Sequence, residues 1–281
     1  MDQPSPYSSL STSVYLPAAN FDHAGYGVSS TLPARRGVSV MGPCIDAVTW
    51  DEALERIGLW AARRDSRYLV ACNVHSVVTA GRNSALLSAI NSADLAVADG
   101  APVAWLMRKL GCTNQERISG PDLMWRYFEQ AAPRGESVFL YGSTPETLQR
   151  LVERIEVCFP GLRIAGTYSP PFRALTSEED AEVVRRINES GAQTVWVALG
   201  CPKQEVWMAA HRGRIQAALI GVGAAFAFHA GTAKRAPLWM QRHGLEWAHR
   251  LICEPRRLAT RYLVTNTLFV WGAATLLLQG R

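Results

Sequence analysis

Residues 137–158 read SVFLYGSTPETLQRLVERIEVC. The run SVFLYG is apolar at consecutive positions, so an extended segment there needs cover on both faces, as in a parallel sheet between helices. Ser143-Thr144-Pro145-Glu146 ends that strand and starts a helix. A hydroxyl stands ahead of a proline in the first turn, where the missing N–H costs nothing. The spacing then predicts a helix over 145–158.

The same alternation recurs on either side. TVWVALG at 194–200 is a second covered apolar run. Further strands are predicted at Tyr68–Asn73, Asp94–Ala98, Arg163–Gly166 and Ala217–Val222. Helices are predicted over 51–64, 75–91, 121–132 and 177–190, with a shorter one over 101–110 after Pro102. Thr176-Ser177-Glu178-Glu179-Asp180 places hydroxyls and acids where a helix N-terminus favours them. Strand–helix alternation of this kind predicts an α/β fold: Rossmann-like, with a mostly parallel sheet covered by helices.

The two ends of the chain differ from this middle. Residues 1–36 are rich in Ser, Pro, Gly, Tyr and Ala without a sustained period, and are expected to form a mobile leader. No basic-then-apolar start marks a secretory signal, and GVSVMGPCID after Arg35-Arg36 is too short and polar for twin-arginine export. Residues 37–249 form the expected α/β domain, and 250–281 a basic and apolar appendage. RLICEPRRLATR (250–261) carries four arginines, and YLVTNTLFVWGAATLLL (262–278) carries no charge. The second run sits at the short limit for a span and is interrupted by Thr265, Asn266 and Thr267. It is expected to lie on a membrane surface or to dock on the domain, in preference to crossing a bilayer.

The 281 residues are 48% hydrophobic and 19% charged, which excludes global disorder and provides for a sizeable core. Few lysines stand among the 29 basic residues, and the net charge of +5 suits an anionic partner. Nucleotide phosphates and acidic lipid fit this, and nothing singles out nucleic acid. Six scattered cysteines, with no CxxC pair or zinc spacing, are expected to be buried free thiols of a reducing compartment.

Ligands of open α/β sheets bind beyond the carboxyl ends of the strands. Four predicted strand ends carry polar residues: Asn73, Asp99-Gly100, Gly142-Ser143-Thr144 and the stretch Gly200 to Glu205. Asp99 reads equally as a general base in an apolar setting or as a cap for the next helix. Asn73 reads as a helix cap or a sugar ligand. Arg117 reads as a phosphate ligand or a solvated surface arginine, and Lys203-Gln204-Glu205 as a helix start. His229 reads as a satisfied core histidine. Gly221-Val222-Gly223 would allow a ligand close to the backbone. Arg250, Arg256, Arg257 and Arg261 could clamp a diphosphate bidentately or attract lipid headgroups. There is no Walker loop, no GxGxxG and no DxD for a carboxylate-held metal.

Nine motifs stand in order: NVHSVV (73–78), ADGAPVAW (98–105), ERISGPDLM (116–124), FLYGSTPETL (139–148), FPGLRIAGTYSPPF (159–172), VALGCPKQEVWM (197–208), GVGAAFAFHAG (221–231), RAPLWMQRHGLEWAHRL (235–251) and EPRRLATRYL (254–263). With them the chain resembles the WecG/TagA/CpsF family of bacterial glycosyltransferases over about residues 38–270. The resemblance implies inverting transfer of a sugar from a UDP-sugar to a polyprenyl-diphosphate-linked sugar. No metal or other cofactor is expected. The products would serve surface polysaccharide or exopolysaccharide synthesis, at the cytoplasmic face of the inner membrane. It implies Asp99 as general base, with Asn73, Arg117 and Gln204 in the pocket. Arg250, Arg256, Arg257 and Arg261 would close over the UDP near the membrane. Whether the chain forms a homo-oligomer is left open. Two positions depart from the family pattern: Ala71 replaces a threonine of Thr-x-Asn, and Ala227 replaces the acid of an FDF-like segment. They keep a second reading in view, a non-catalytic sugar-nucleotide-binding or assembly module.

Overall fold

The computed structural model describes residues 35–279, which lie in one compact unit beginning at Arg35. Of the leader expected over residues 1–36, the first 34 positions fall outside the described residues, while Arg35 belongs to the folded unit. A hairpin of β1 (Gly37–Ser39) and β2 (Cys44–Asp46) leads into α1 (Trp50–Arg63). Then follow β3 (Tyr68–Cys72), α2 (Val74–Ala80), α3 (Ser84–Asn91), β4 (Leu95–Ala98), α4 (Ala101–Lys109) and α5 (Gly120–Ala131). After these come β5 (Ser137–Gly142), α6 (Pro145–Cys158), β6 (Arg163–Tyr168), α7 (Ser177–Glu189), β7 (Thr194–Ala198), α8 (Lys203–His211) and β8 (Ala218–Gly221). The last part is helical: α9 (Ala225–His229), α10 (Leu238–Arg242), α11 (Glu246–Cys253) and α12 (Pro255–Gln279).

The six strands β3 to β8 form one parallel sheet in the order β4-β3-β8-β7-β5-β6. All carboxyl ends therefore point to one edge. Successive strand residues feed opposite layers. Phe139, Tyr141, Val195 and Val197 join a core with Val77, Leu86, Ile187 and Met208 of the helices on one face. On the other face Trp196 meets the Phe128 ring edge-on at 5.0 Å and Tyr127 at 5.6 Å. This double cover is why the strands read as continuous apolar runs.

All six predicted strands are present. The helix expected over 75–91 is two helices. The chain turns after Ala80, and the Asn83 side chain accepts from the Leu86 N–H to start α3 afresh. The β1–β2 hairpin is too short to leave a period in the sequence. Arg35 fastens it, with Nε on both Asp46 oxygens at 3.0 and 2.9 Å and further donors on the carbonyls of Cys44, Ile90, Asn91 and Ala93. The six cysteines are free, but only Cys72 is fully buried. Cys158 and Cys253 are exposed, contrary to the expectation, because each closes the last turn of an amphipathic helix.

The appendage is part of the same unit. α12 begins at Pro255 and runs for 25 residues, so Arg256, Arg257 and Arg261 share one helix with the apolar segment, while Arg250 sits on α11. Among the described residues no helix is long and apolar enough to cross a membrane. Leu258, Thr265, Phe269 and Ala273 fall on one side of α12 and are buried, and the helix lies against α2. Leu263, Val270, Trp271 and Leu278 fall on the opposite side and each stays at least 67% exposed.

Candidate active site

A cavity of about 1150 Å³ opens beyond the carboxyl ends of β3, β4, β7 and β8 and is roofed by α11 and α12. Asp99 follows β4 directly. Gly100, not Asp99, occupies the N-cap of α4, and that cap has no side-chain hydrogen bond. The Asp99 carboxyl is thus not spent on helix capping and stands in the cavity wall. Burial pushes its pKa up, Arg117 and a hydrogen bond from Asn73 pull it down, and Glu246 and Asp122 push it up again.

Asn73 does two jobs. Its Oδ1 accepts from the Ser76 N–H at 3.2 Å while Ser76 Oγ accepts from the Asn73 N–H at 2.9 Å, a closed capping box for α2. Its side chain also hydrogen-bonds the Asp99 carboxyl. The cap and the site residue are therefore the same side chain.

Arg117 lines the cavity, but it is neither a solvated surface group nor an open phosphate grip. Nε donates to the Asp99 carbonyl at 2.6 Å, one terminal nitrogen donates to Glu246 at 2.6 Å, and the other donates to the Gln241 carbonyl at 3.4 Å. Gln204 lines the cavity with its amide likewise engaged. Oε1 accepts from the Gly223 N–H at 2.9 Å and Nε2 donates to Glu205 at 3.2 Å. A Cβ on Gly221 would stand 2.7 Å from Gln204 Nε2. The glycine that ends β8 therefore makes room for Gln204, where the sequence suggested room for a ligand.

The four C-terminal arginines divide. Arg250 lines the cavity with Nε buried and unbonded, its guanidinium 5.7 Å from the Phe228 ring centroid. Arg257 and Arg261 also line it, and Arg257 pairs with Glu254 at 2.6 Å. Arg256, expected in the clamp, does not line the cavity. It precedes Leu263 and Val270 by two and four helical turns and so shares their outward face of α12.

His229 behaves as a satisfied core residue. It donates from Nε2 to the Pro121 carbonyl at 2.9 Å and stacks on Trp125 with centroids 3.5 Å apart, and burial lowers its pKa to about 4. His75 lines the cavity from the first turn of α2, its pKa lowered to about 4 by burial and by Arg261.

Glu246 and Trp247 escaped the sequence reading, whereas Ser143 stands at one of the strand ends it picked out. Ser143 is held at φ 62° between β5 and α6, a conformation rare for a residue with a side chain. With Ala198, Leu199 and Lys203 it joins the main cavity to a second one of about 640 Å³, walled by Tyr141, Phe172 and Trp207. Glu246 and Trp247 enter from α11. No local pattern signals them, because the pairing of Glu246 with Arg117 spans 129 positions. Among the described residues no three His, Cys, Asp or Glu side chains cluster as metal ligands.

Residues 38–281 match the glycosyl transferase WecG/TagA/CpsF family. The chain belongs to that family. It is similar to the N-acetylglucosaminyldiphosphoundecaprenol N-acetyl-β-D-mannosaminyltransferase of Bacillus spizizenii, at 33% identity over 191 residues, 68% of this chain and 72% of that one. A WecG/TagA/CpsF glycosyltransferase is thus an enzyme whose cavity sits at the strand edge where this fold class binds ligands. Asp99, Asn73, Arg117, Gln204, Arg250, Arg257 and Arg261 share that cavity, and so do both departures, Ala71 and Ala227.

Proposed function

We propose that this glycosyltransferase moves a sugar from a UDP-sugar to a polyprenyl-diphosphate-linked sugar, with inversion and without a metal, in bacterial envelope or exopolysaccharide synthesis. One observation carries the reading. A carboxylate free of capping duty, Asp99, shares a cavity with Arg250, whose Nε is buried without a partner. Inversion needs a base on the acceptor side and charge stabilisation at the departing diphosphate.

Asp99 takes the proton of the acceptor hydroxyl as the acceptor oxygen bonds to the anomeric carbon. The bond from that carbon to the diphosphate oxygen breaks with its electron pair, and UDP departs. Arg250, Arg257 and Arg261 balance the charge left on it, the work a metal does elsewhere. The aromatic walls of the second cavity suit the nucleobase, and Lys203 at the junction suits the phosphates. The Bacillus spizizenii relative is named for transfer of N-acetylmannosamine to a lipid-linked N-acetylglucosamine diphosphate, and the acceptor class follows that name. Ala71 and Ala227 leave the cavity without a hydroxyl and an acid that the family pattern carries, which points to a donor sugar of different substitution.

The enzyme acts at the cytoplasmic face of the inner membrane as a peripheral protein. The outward face of α12 meets the lipid, with Arg256 at the headgroups. The deciding experiment measures UDP release with each UDP-sugar and a polyprenyl-diphosphate-sugar acceptor, with and without EDTA. Turnover that survives EDTA is expected. Donor binding without turnover for any acceptor would instead mark a binding or assembly module.

A further inference from the structure

Asp99 does not stand alone at the cavity wall. It begins a chain of charges that runs into the C-terminal helices. Arg117 holds the Asp99 carbonyl at 2.6 Å and the Glu246 carboxylate at 2.6 Å. The other Glu246 oxygen faces Arg235 Nε at 3.5 Å, and Arg235 grips both oxygens of Asp122 at 2.6 and 2.8 Å. Three acids therefore alternate with two arginines between the end of β4, α5 and α11. Glu246 is the only acid among them carried by the C-terminal helices, and it stands one turn ahead of Arg250 on α11.

Arg117 poses a chemical problem for a base at Asp99. A bare guanidinium beside a carboxylate stabilises its ionised form and weakens it as a proton acceptor. Yet Arg117 also holds the backbone of Asp99 through its carbonyl. A second carboxylate on Arg117 resolves this, because it cancels the charge and leaves the backbone hydrogen bond in place.

We propose that Glu246 is a positioning residue that keeps Asp99 basic by neutralising Arg117 when α11 is seated over the cavity. The same seating brings Arg250 to the diphosphate, so one segment supplies the clamp and readies the base. This rests on Asp99 as the base. The other groups facing Asp99 support the assignment. Asn73 at the start of α2 hydrogen-bonds its carboxyl, and Asp122 on α5 is tied to Arg235. Cys72 at the end of β3 is held protonated by burial, and His75 on α2 is neutral at pH 7 because burial lowers its pKa to about 4. That leaves Arg117 as the cation beside Asp99 and Glu246 as its counterion.

The test is the pH profile of kcat and kcat/KM for the full chain with UDP-sugar and lipid-linked acceptor. In Glu246→Gln the acid limb should move to lower pH, since Arg117 then draws Asp99 down. The plateau of kcat should fall less than about tenfold, well short of the ~10²–10⁴-fold loss from removing a base. The double variant Arg117→Gln/Glu246→Gln, again neutral as a pair, should return the limb towards its wild-type position. A limb that stays in place in Glu246→Gln, while kcat and melting temperature fall together, would overturn the proposal and leave Glu246 as a strut for α11. Failure of the underlying reading looks different: Asp99→Asn would then retain turnover and its acid limb.

Discussion

The Arg250 guanidinium sits 5.7 Å from the ring centroid of Phe228, and its Nε is buried with no hydrogen-bond partner. An unpaired buried donor of a charged group is costly unless something answers it. The aromatic ring holds the cation in place without consuming its donors. Arg250 is in this respect the reverse of Arg117, whose donors are engaged by Asp99, Gln241 and Glu246. Arg250→Ala should therefore weaken UDP binding by about 10–100-fold, the equivalent of ~1.5–3 kcal/mol for a charged hydrogen bond. Arg250→Lys should recover only part, because an ammonium cannot pair two phosphate oxygens in the same fork. Titration calorimetry with UDP checks both, and equal affinities for wild type and Arg250→Ala would remove Arg250 from the clamp.

Asp99→Asn keeps the shape of the side chain and removes the base. A kcat lower by ~10²–10⁴-fold is expected, with UDP affinity and melting temperature within experimental scatter of wild type. The acid limb of the pH profile should vanish with the activity. A variant turning over within about threefold of wild type would show that the proton goes elsewhere, and His75 in the same cavity would be the next residue to replace.

Much of this site was legible in the sequence because strand-end position is a local property. Asn73, Asp99 and Gln204 follow apolar runs that could only be covered strands, so their place at the ligand edge followed from the fold class. What Arg117 does was not legible. Its partners come from the end of β4, from α10 and from α11, and their meeting depends on how the C-terminal helices are seated. The single helix expected over 75–91 failed for a related reason: its apolar spacing continues past the break, and only the Asn83 cap reveals the turn. The segment 262–278 offered two readings, membrane surface or docking; one face of α12 is buried against the domain and the other is exposed.

Acid should destabilise the fold through its partly buried histidines. The His229 pKa is lowered to about 4 from an ordinary 6.5, chiefly by burial. The unfolded chain therefore takes up a proton that the folded one refuses between those values. Stability is complete above pH 6.5 and falls as the pH drops towards 4, by roughly 3 kcal/mol for a shift of this size. His75 acts in the same direction. His229→Phe keeps a ring on Trp125 but loses the bond to the Pro121 carbonyl, so it should be less stable at pH 7 yet show a shallower decline in acid. Denaturant unfolding across pH 7 to 4.5 checks this, and an unchanged slope would mean that other groups drive the acid loss.

The two faces of α12 can be separated by substitution. Truncation after Arg261 is a poor tool, because it would strip Phe269 and Ala273 from the core and Thr265, Asn266 and Phe269 from the cavity wall. Leu263, Trp271 and Leu278 are exposed, so changing them to Gln should leave the melting temperature close to wild type. Each contributes up to about 1.5–3 kcal/mol if it enters lipid, so the triple variant should bind anionic liposomes at least tenfold more weakly. Arg256→Gln should weaken the same binding by about 1 kcal/mol and leave UDP affinity intact, unlike any change at Arg250. Phe269→Ala should do the opposite of the triple variant. It opens a cavity beneath α12 and costs about 3–5 kcal/mol of stability, while the exposed outward face is untouched. Cosedimentation and thermal melting of the three variants give the answer. A triple variant that pellets with anionic liposomes as well as wild type does would place membrane attachment somewhere other than this face.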